Sequence, residues 1–315
     1  ASANATIATV FNRDGLFQFK GKTMQTKNLL RIATAALALS VASVWATPVV
    51  WENSAGSDMG SFDKATGVQQ ATLTQNKGNG RGIVVVGNTV YYTTADSGSV
   101  FKRDAITDAD LGVAFTIAGT SGLQAISYDG TDFWVGDYSG TTKAYKVNGT
   151  TGALISTITL DGTLTHIEGF YDGLEYFNGK LIANKYDGGF ARAGGNQYSI
   201  YDTLGNLLVA DFIDTNGHGN GTGIAFDGTD FYVSDIFNNR FTIWDGTTGA
   251  YKSAVTLSGS HTVIEDLSVD FAGRIDTCGG PNQPPCNNVP EPGSMQLVGL
   301  ALGALGLGLR RRKAK

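Results

Sequence analysis

FDGTDFYVSD, residues 226–235, nearly repeats YDGTDFWVGD, residues 128–137. Both alternate apolar and polar side chains after an Asp-Gly pair, the pattern of half-buried antiparallel strands joined by tight hairpins. The match widens downstream. IWDGTTGAYKSAVTL (243–257) parallels KVNGTTGALISTITL (146–160), VGNTVYYTTADSGSVFKRD (86–104) fits the copy at 226 without a gap, and YFNGKLIANKYDGG (176–189) is a diverged copy. Taking Ile83, Ile126, Leu174, Ile224 and Leu267 as equivalent starts gives spacings of 43, 48, 50 and 43 residues. A repeat of this length made of short strands is a propeller blade.

The incomplete ends set the blade number. The last copy, IEDLSVDFAGRIDTC from Ile264, supplies two strands and stops, whereas VVWENSAGSDMGSFDKATGVQQATLT from Val49 resembles the second half of a copy. Joining both termini in one blade closes the ring and removes open sheet edges. The expectation is an all-β, five-bladed propeller over residues 47–277, with four continuous blades and one shared. A sixth blade is the alternative, if the N-terminal segment builds its own. Asp129-Gly130 and Asp227-Gly228 then tip the first hairpins of their blades, and Gly152 and Gly249 turn the last ones. Composition agrees: 43 glycines and only 16% charged residues in 315 favour turn-rich β structure over helix bundles.

The flanks carry addresses. Residues 1–23 show no repeat or period and read as an upstream extension. From Met24, Lys27 and Arg31 precede an apolar run, Ile32–Val44, that ends in Val44-Trp45-Ala46. This is the layout of a signal peptide over 24–46, cleaved after Ala46, and a helix of that run is roughly 20 Å long, short for a bilayer core. At the other end Pro290-Glu291-Pro292 is followed by fifteen uncharged residues, Met295–Leu309, and then by Arg310-Arg311-Arg312-Lys313. The basic cluster stays cytoplasmic by the positive-inside rule, so the blades lie outside the inner membrane.

This ordered tail, residues 290–315, resembles the PEP-CTERM sorting signal of Gram-negative bacteria. The resemblance implies processing by an exosortase, a membrane cysteine-type transpeptidase, near Pro290-Glu291-Pro292, then release to the cell surface or a biofilm matrix. The repeats resemble the broad NHL and YVTN-like propellers, best in SDIFNNRFTIWDGTTG (234–249), a likeness that carries no activity.

Between Thr47 and Val289 there are 26 acidic and 13 basic residues, a net of −13. No basic stripe exists to follow a phosphate backbone, so nucleic acid is excluded as a partner class. Solubility outside the cell explains the charge; Ca²⁺-bridged contact with acidic polysaccharide is the other reading. No cofactor is expected, Ca²⁺ on the turn aspartates being the secondary reading since no dense acidic loop is present. Cys278 and Cys286 fit a local disulfide in an oxidising compartment, closing the linker 278–289.

Aligning the copies puts Arg81, Gln124, Asp172, Thr222 and Glu265 at one position, two residues before each start. They form a polar ring around the axis, either a solvated channel mouth or a ligand site with Arg81 facing Asp172 and Glu265. His218 and His261 share another repeat position and His166 falls near it, a three-His metal site or three loop histidines facing water. No nucleophile elbow, zinc helix or phosphate loop is found. Two readings result: a non-enzymatic binding or structural module meeting exopolysaccharide or a surface protein, and a propeller enzyme of lactonase, lyase or glycan hydrolase type.

Overall fold

The computed structural model describes residues 49–269 apart from 57, 139–141, 161–171, 185–195, 260 and 262, together with the backbone of Leu16–Phe19 and Lys22–Gln25. Those two short segments, β1 and β2, form an antiparallel hairpin with Phe17 opposite Met24, in a unit, Ala1–Thr47, separate from the rest. The signal-peptide run, the cysteines and the sorting tail lie outside the described residues. Among the described residues no helix is long and apolar enough to cross a membrane.

Residues from Val49 onward form five four-stranded antiparallel sheets. Blade 1 is β6 (Gly80–Val86), β7 (Thr89–Thr94), β8 (Ser97–Asp104) and β9 (Asp110–Thr116). Blade 2 is β10 (Leu123–Tyr128), β11 (Asp132–Asp137), β12 (Lys143–Asn148) and β13 (Leu154–Thr159). Blade 3 is β14 (Leu174–Phe177), β15 (Lys180–Asn184), β16 (Gln197–Tyr201) and β17 (Leu207–Asp214). Blade 4 is β18 (Gly221–Phe226), β19 (Asp230–Asp235), β20 (Arg240–Asp245) and β21 (Tyr251–Thr256). The closing blade runs β22 (Ile264–Val269), β3 (Val49–Ser54), β4 (Met59–Asp63) and β5 (Gln69–Leu73), in that spatial order.

The architecture is therefore the expected five-bladed propeller closed by both ends of the chain. The closing blade differs from expectation in its split. Among the described residues the C-terminal side gives one strand, innermost, and the N-terminal side gives three. The N-terminal segment carries three strand-length runs, Val49–Ser54, Met59–Asp63 and Gln69–Leu73, which leave a single place in the four-stranded blade.

The core lies between blades. Val84, Val100 and Phe115 of blade 1 pack on Ile126, Phe133 and Val135 of blade 2, and equivalent apolar clusters fill each of the other four blade interfaces around the ring. Each innermost strand packs on the next, β22 on β6, β6 on β10, β10 on β14, β14 on β18 and β18 on β22. This approach is close enough to need small residues. A Cβ on Gly82 would sit 2.5 Å from the Gln124 carbonyl oxygen, and one on Gly223 would sit 2.1 Å from the Cα of Asp266.

Candidate functional site

The five aligned positions meet where the innermost strands begin. In four blades the pairing of the innermost strand with its neighbour is irregular there: Gly80/Ile83, Leu123/Ile126, Gly221/Ile224 and Ile264/Asp266. A bulge re-aims side chains and frees backbone groups. The N–H that follows the ring position is met from the second strand in three blades, Gly82 donating to Thr93 Oγ1 (2.6 Å), Gly173 to Asn184 Oδ1 (2.6 Å) and Gly223 to Ser234 Oγ (2.8 Å). The backbone is thus satisfied locally, and the ring side chains are left to one another.

They pair across blades. Arg81 forms an ion pair with Glu265, bridging β6 and β22, and its Nη2 also donates to the Tyr138 hydroxyl at 3.1 Å with the guanidinium over the Tyr138 ring, 4.8 Å from its centre. Gln124 Nε2 donates to Asp172 Oδ1 at 2.6 Å, bridging β10 to the residues entering β14. Thr222 Oγ1 donates to the Ile264 carbonyl (2.9 Å) and contacts Ser234 Oγ (2.7 Å), and the Tyr198 hydroxyl donates to the Thr222 carbonyl (2.7 Å). The ring is therefore buried and bonded: Asp172 is 4% exposed, Glu265 3% and Gln124 1%. Two polar atoms of the cluster, Gln124 Oε1 and Arg81 Nε, are buried without a hydrogen-bond partner.

Electrostatics follows from that burial. Asp172 is pushed up to about 8, first by burial and then by the Glu265 charge, against the pull of Arg81. Burial raises Glu265 also, with Arg81 opposing, while Arg81 rises because Glu265 and its neighbours more than offset the effect of its own burial. One guanidinium serves two carboxyl groups, so one of them is disfavoured as an anion.

A residue beside the ring carries as much weight. The column after the ring position reads Gly82, Ala125, Gly173, Gly223 and Asp266. Asp266 is 1% exposed and its carboxylate accepts from Ile83 N (3.1 Å) and Ile224 N (3.3 Å), tying β22 to both neighbouring innermost strands. Burial pushes it well above the usual carboxylate range. One acid in a column of small residues was the signal that could have found it. Tyr138, an aromatic following β11 where Ala95 follows β7, was equally visible.

The two described histidines have partners of their own. His218 stacks on Tyr251, ring centres 3.8 Å apart, and its carbonyl accepts from Arg240. His261 places Nδ1 3.1 Å from Oε1 of the fully buried Glu52, with its ring edge-on to Phe62. His166 lies outside the described residues, as do Cys278 and Cys286. Among the described residues no group of three or more His, Cys, Asp or Glu side chains is placed to hold a metal ion.

Fold and site together define a five-bladed β-propeller whose axis is filled by paired polar side chains. Residues 288–313, which include Pro290, Glu291, Pro292, Arg310, Arg311 and Arg312, match the PEP-CTERM protein-sorting motif. The motif implies export, membrane-anchored sorting by an exosortase, and release to the surface or outside the cell. No curated protein matches the chain. Among solved structures, a nidogen/laminin complex is similar at 11% identity over 70% of this chain and 98% of that one, TM-score 0.47. Glutaminyl cyclase of Myxococcus xanthus is similar at 16% identity over 57% and 71%, TM-score 0.45. The computationally designed Ika4 protein is similar at 16% over 61% and 98%, TM-score 0.34.

Proposed function

We propose that this protein is a non-enzymatic binding module of the cell surface or exopolysaccharide matrix, contacting its ligand at the entry side of the propeller axis. The observation that supports this is the cross-blade cluster of Arg81, Gln124, Asp172 and Glu265, which retains unpartnered polar atoms at a rigid, five-fold convergent position. Structural side chains at such a place normally satisfy one another. On this reading the signal peptide is residues 24–46, a Cys278–Cys286 disulfide closes the linker, and the sorting tail is removed near Pro290-Glu291-Pro292.

Cosedimentation of the purified full chain with the producing bacterium's exopolysaccharide, with and without Ca²⁺, tests the reading. The control is Arg81→Met combined with Glu265→Met, which removes the pair without leaving a lone buried charge. Saturable binding that falls at least tenfold in this variant is expected. Binding equal in both proteins sinks the site, and none in either sinks the polysaccharide as ligand.

One observation favours the enzyme alternative. Two carboxyl groups, Asp172 and Glu265, act on one another electrostatically in the cluster, and a pair of carboxyl groups is what glycan hydrolysis needs. Release of reducing ends from the same polysaccharide, lost in Asp172→Asn, would establish it.

A further inference from the structure

The cluster holds an uneven set of groups. Among the described residues Glu265 already matches the Arg81 charge, and no second cation acts on Asp172. The groups facing Asp172 among the described residues are Arg81 from β6, Glu265 from β22, the uncharged Gln124 from β10, and the phenol of Tyr198 from β16, itself raised well above its usual value by burial and then by Asp172. Gln124 gives its N–H to Asp172 Oδ1 at 2.6 Å while its carbonyl Oε1, fully buried, has no donor. Arg81 Nε is likewise a buried donor with no acceptor.

We propose that this cluster is a proton-gated site for uncharged hydroxyl groups of a saccharide, in which Asp172 enters as the neutral acid and donates its O–H while Gln124 Oε1 accepts in return. The proposal rests on the binding reading above and names the ligand class and the control of that same site. A hydroxyl both donates and accepts, which meets the acid O–H, the orphan carbonyl and the orphan N–H together. A cationic ligand meets Arg81 and an anionic one meets Glu265, so charge selects against both. When Asp172 ionises, its proton passes to solvent. The donor becomes a second acceptor beside Glu265, and the ligand hydroxyl loses its partner. Burial and the Glu265 charge put that step near pH 8.

The test is retention of the full chain, in a zwitterionic detergent, on the producing bacterium's exopolysaccharide at pH 6 and pH 9.5. Wild-type affinity should fall at least tenfold between the two. Asp172→Asn, whose amide donates at every pH, should bind with the same affinity at pH 6 and pH 9.5, whatever that affinity is. A flat wild-type profile, or an equal loss in Asp172→Asn, overturns the gate. If the profile is flat but Arg81→Met/Glu265→Met abolishes retention, the binding reading stands and the gate alone falls. No wild-type retention at pH 6 overturns both. Should Asp172→Asn not fold, infrared difference spectra of the wild type decide: a protonated-carboxyl band lost near pH 8 is expected, and its absence overturns the proposal.

Discussion

Aspartates at two places in this propeller do opposite work. At the outer hairpin of every blade an Asp or Asn closes the turn: Asp63, Asp104, Asn148, Asp202 and Asp245 each accept two backbone N–H groups from the next few residues. There the carboxylate is the favoured form, and Asp245 is drawn down to about 2, first by the Thr248 N–H and then by the Thr248 hydroxyl and Thr247 N–H. At the axis the same residue type is buried, and Asp172 and Asp266 are pushed up. The domain of net −13 thus has rim carboxylates that water and turn amides solvate, and axial acids, Asp172 and Asp266, that burial drives towards the neutral form. The difference teaches that environment, not residue type, decides which acids are charges.

The sharpest way to break this comparison is at Asp266. Asp266→Ala removes the acceptor for Ile83 N and Ile224 N and opens both flanks of the closing strand. Orphaned buried donors and a lost cross-blade tie cost about 4 kcal/mol or more in sum. Urea denaturation should show a collapse of the midpoint, and failure to accumulate folded protein is the extreme case. Asp266→Asn keeps one acceptor and should fall between. A midpoint within about 0.5 kcal/mol of wild type for the alanine variant would mean that the axis is not held by this residue.

Asp172 gives the next effect, and its sign is set by linkage. Its folded-state value is raised to about 8 from 3.8, so its contribution to stability is full below about pH 4 and is lost as pH rises to 8. Asp172→Asn has no such loss. The variant should therefore gain on wild type as pH rises from 4 to 8, by at most about 1.4 kcal/mol per pH unit, with no further gain above. Thermal melts of both proteins across that range measure it. A constant difference would show that Asp172 ionises freely.

How far the sequence discloses all this depends on which physics shapes each element. Turn chemistry is local, so FDGTDFYVSD and WDGTTG carry their hairpins in plain view and the period gives the blade number. The ring of Arg81, Gln124, Asp172, Thr222 and Glu265 follows from register alone, because equivalent residues of a closed repeat must converge. What stays hidden is set by neighbours distant in the chain. The burial of Asn53 in β3 depends on the Gly82 carbonyl, 29 residues on, which its Nδ2 meets at 2.9 Å. The state of Asp172 depends on Gln124 and Glu265, 48 and 93 positions away. His261 meets Glu52 across a distance of 209 residues, which no repeat alignment encodes.

The smallest effect is expected at the rim, where the protein contains its own control. Asn148 occupies in blade 2 the position of Asp245 in blade 4, and its Oδ1 accepts from Thr150 N, Thr151 N and Thr151 Oγ1 just as Asp245 Oδ1 accepts from Thr247 N, Thr248 N and Thr248 Oγ1. Asp245→Asn thus turns one blade's hairpin into another's. The acceptor geometry survives and only the charge goes, together with the pairing to Lys252 at 3.4 Å, an exposed contact of little worth. At pH 7 the melting temperature should move by no more than about 2 °C. The acid limb should respond instead. A carboxylate lowered to about 2 contributes stability above pH 4 that disappears as pH falls through 2, so wild type should lose stability over that interval relative to Asp245→Asn. Parallel acid-denaturation curves would show that the rim carboxylate gains nothing from its turn beyond what a neutral amide gains, and would remove the rim half of the contrast with the axis.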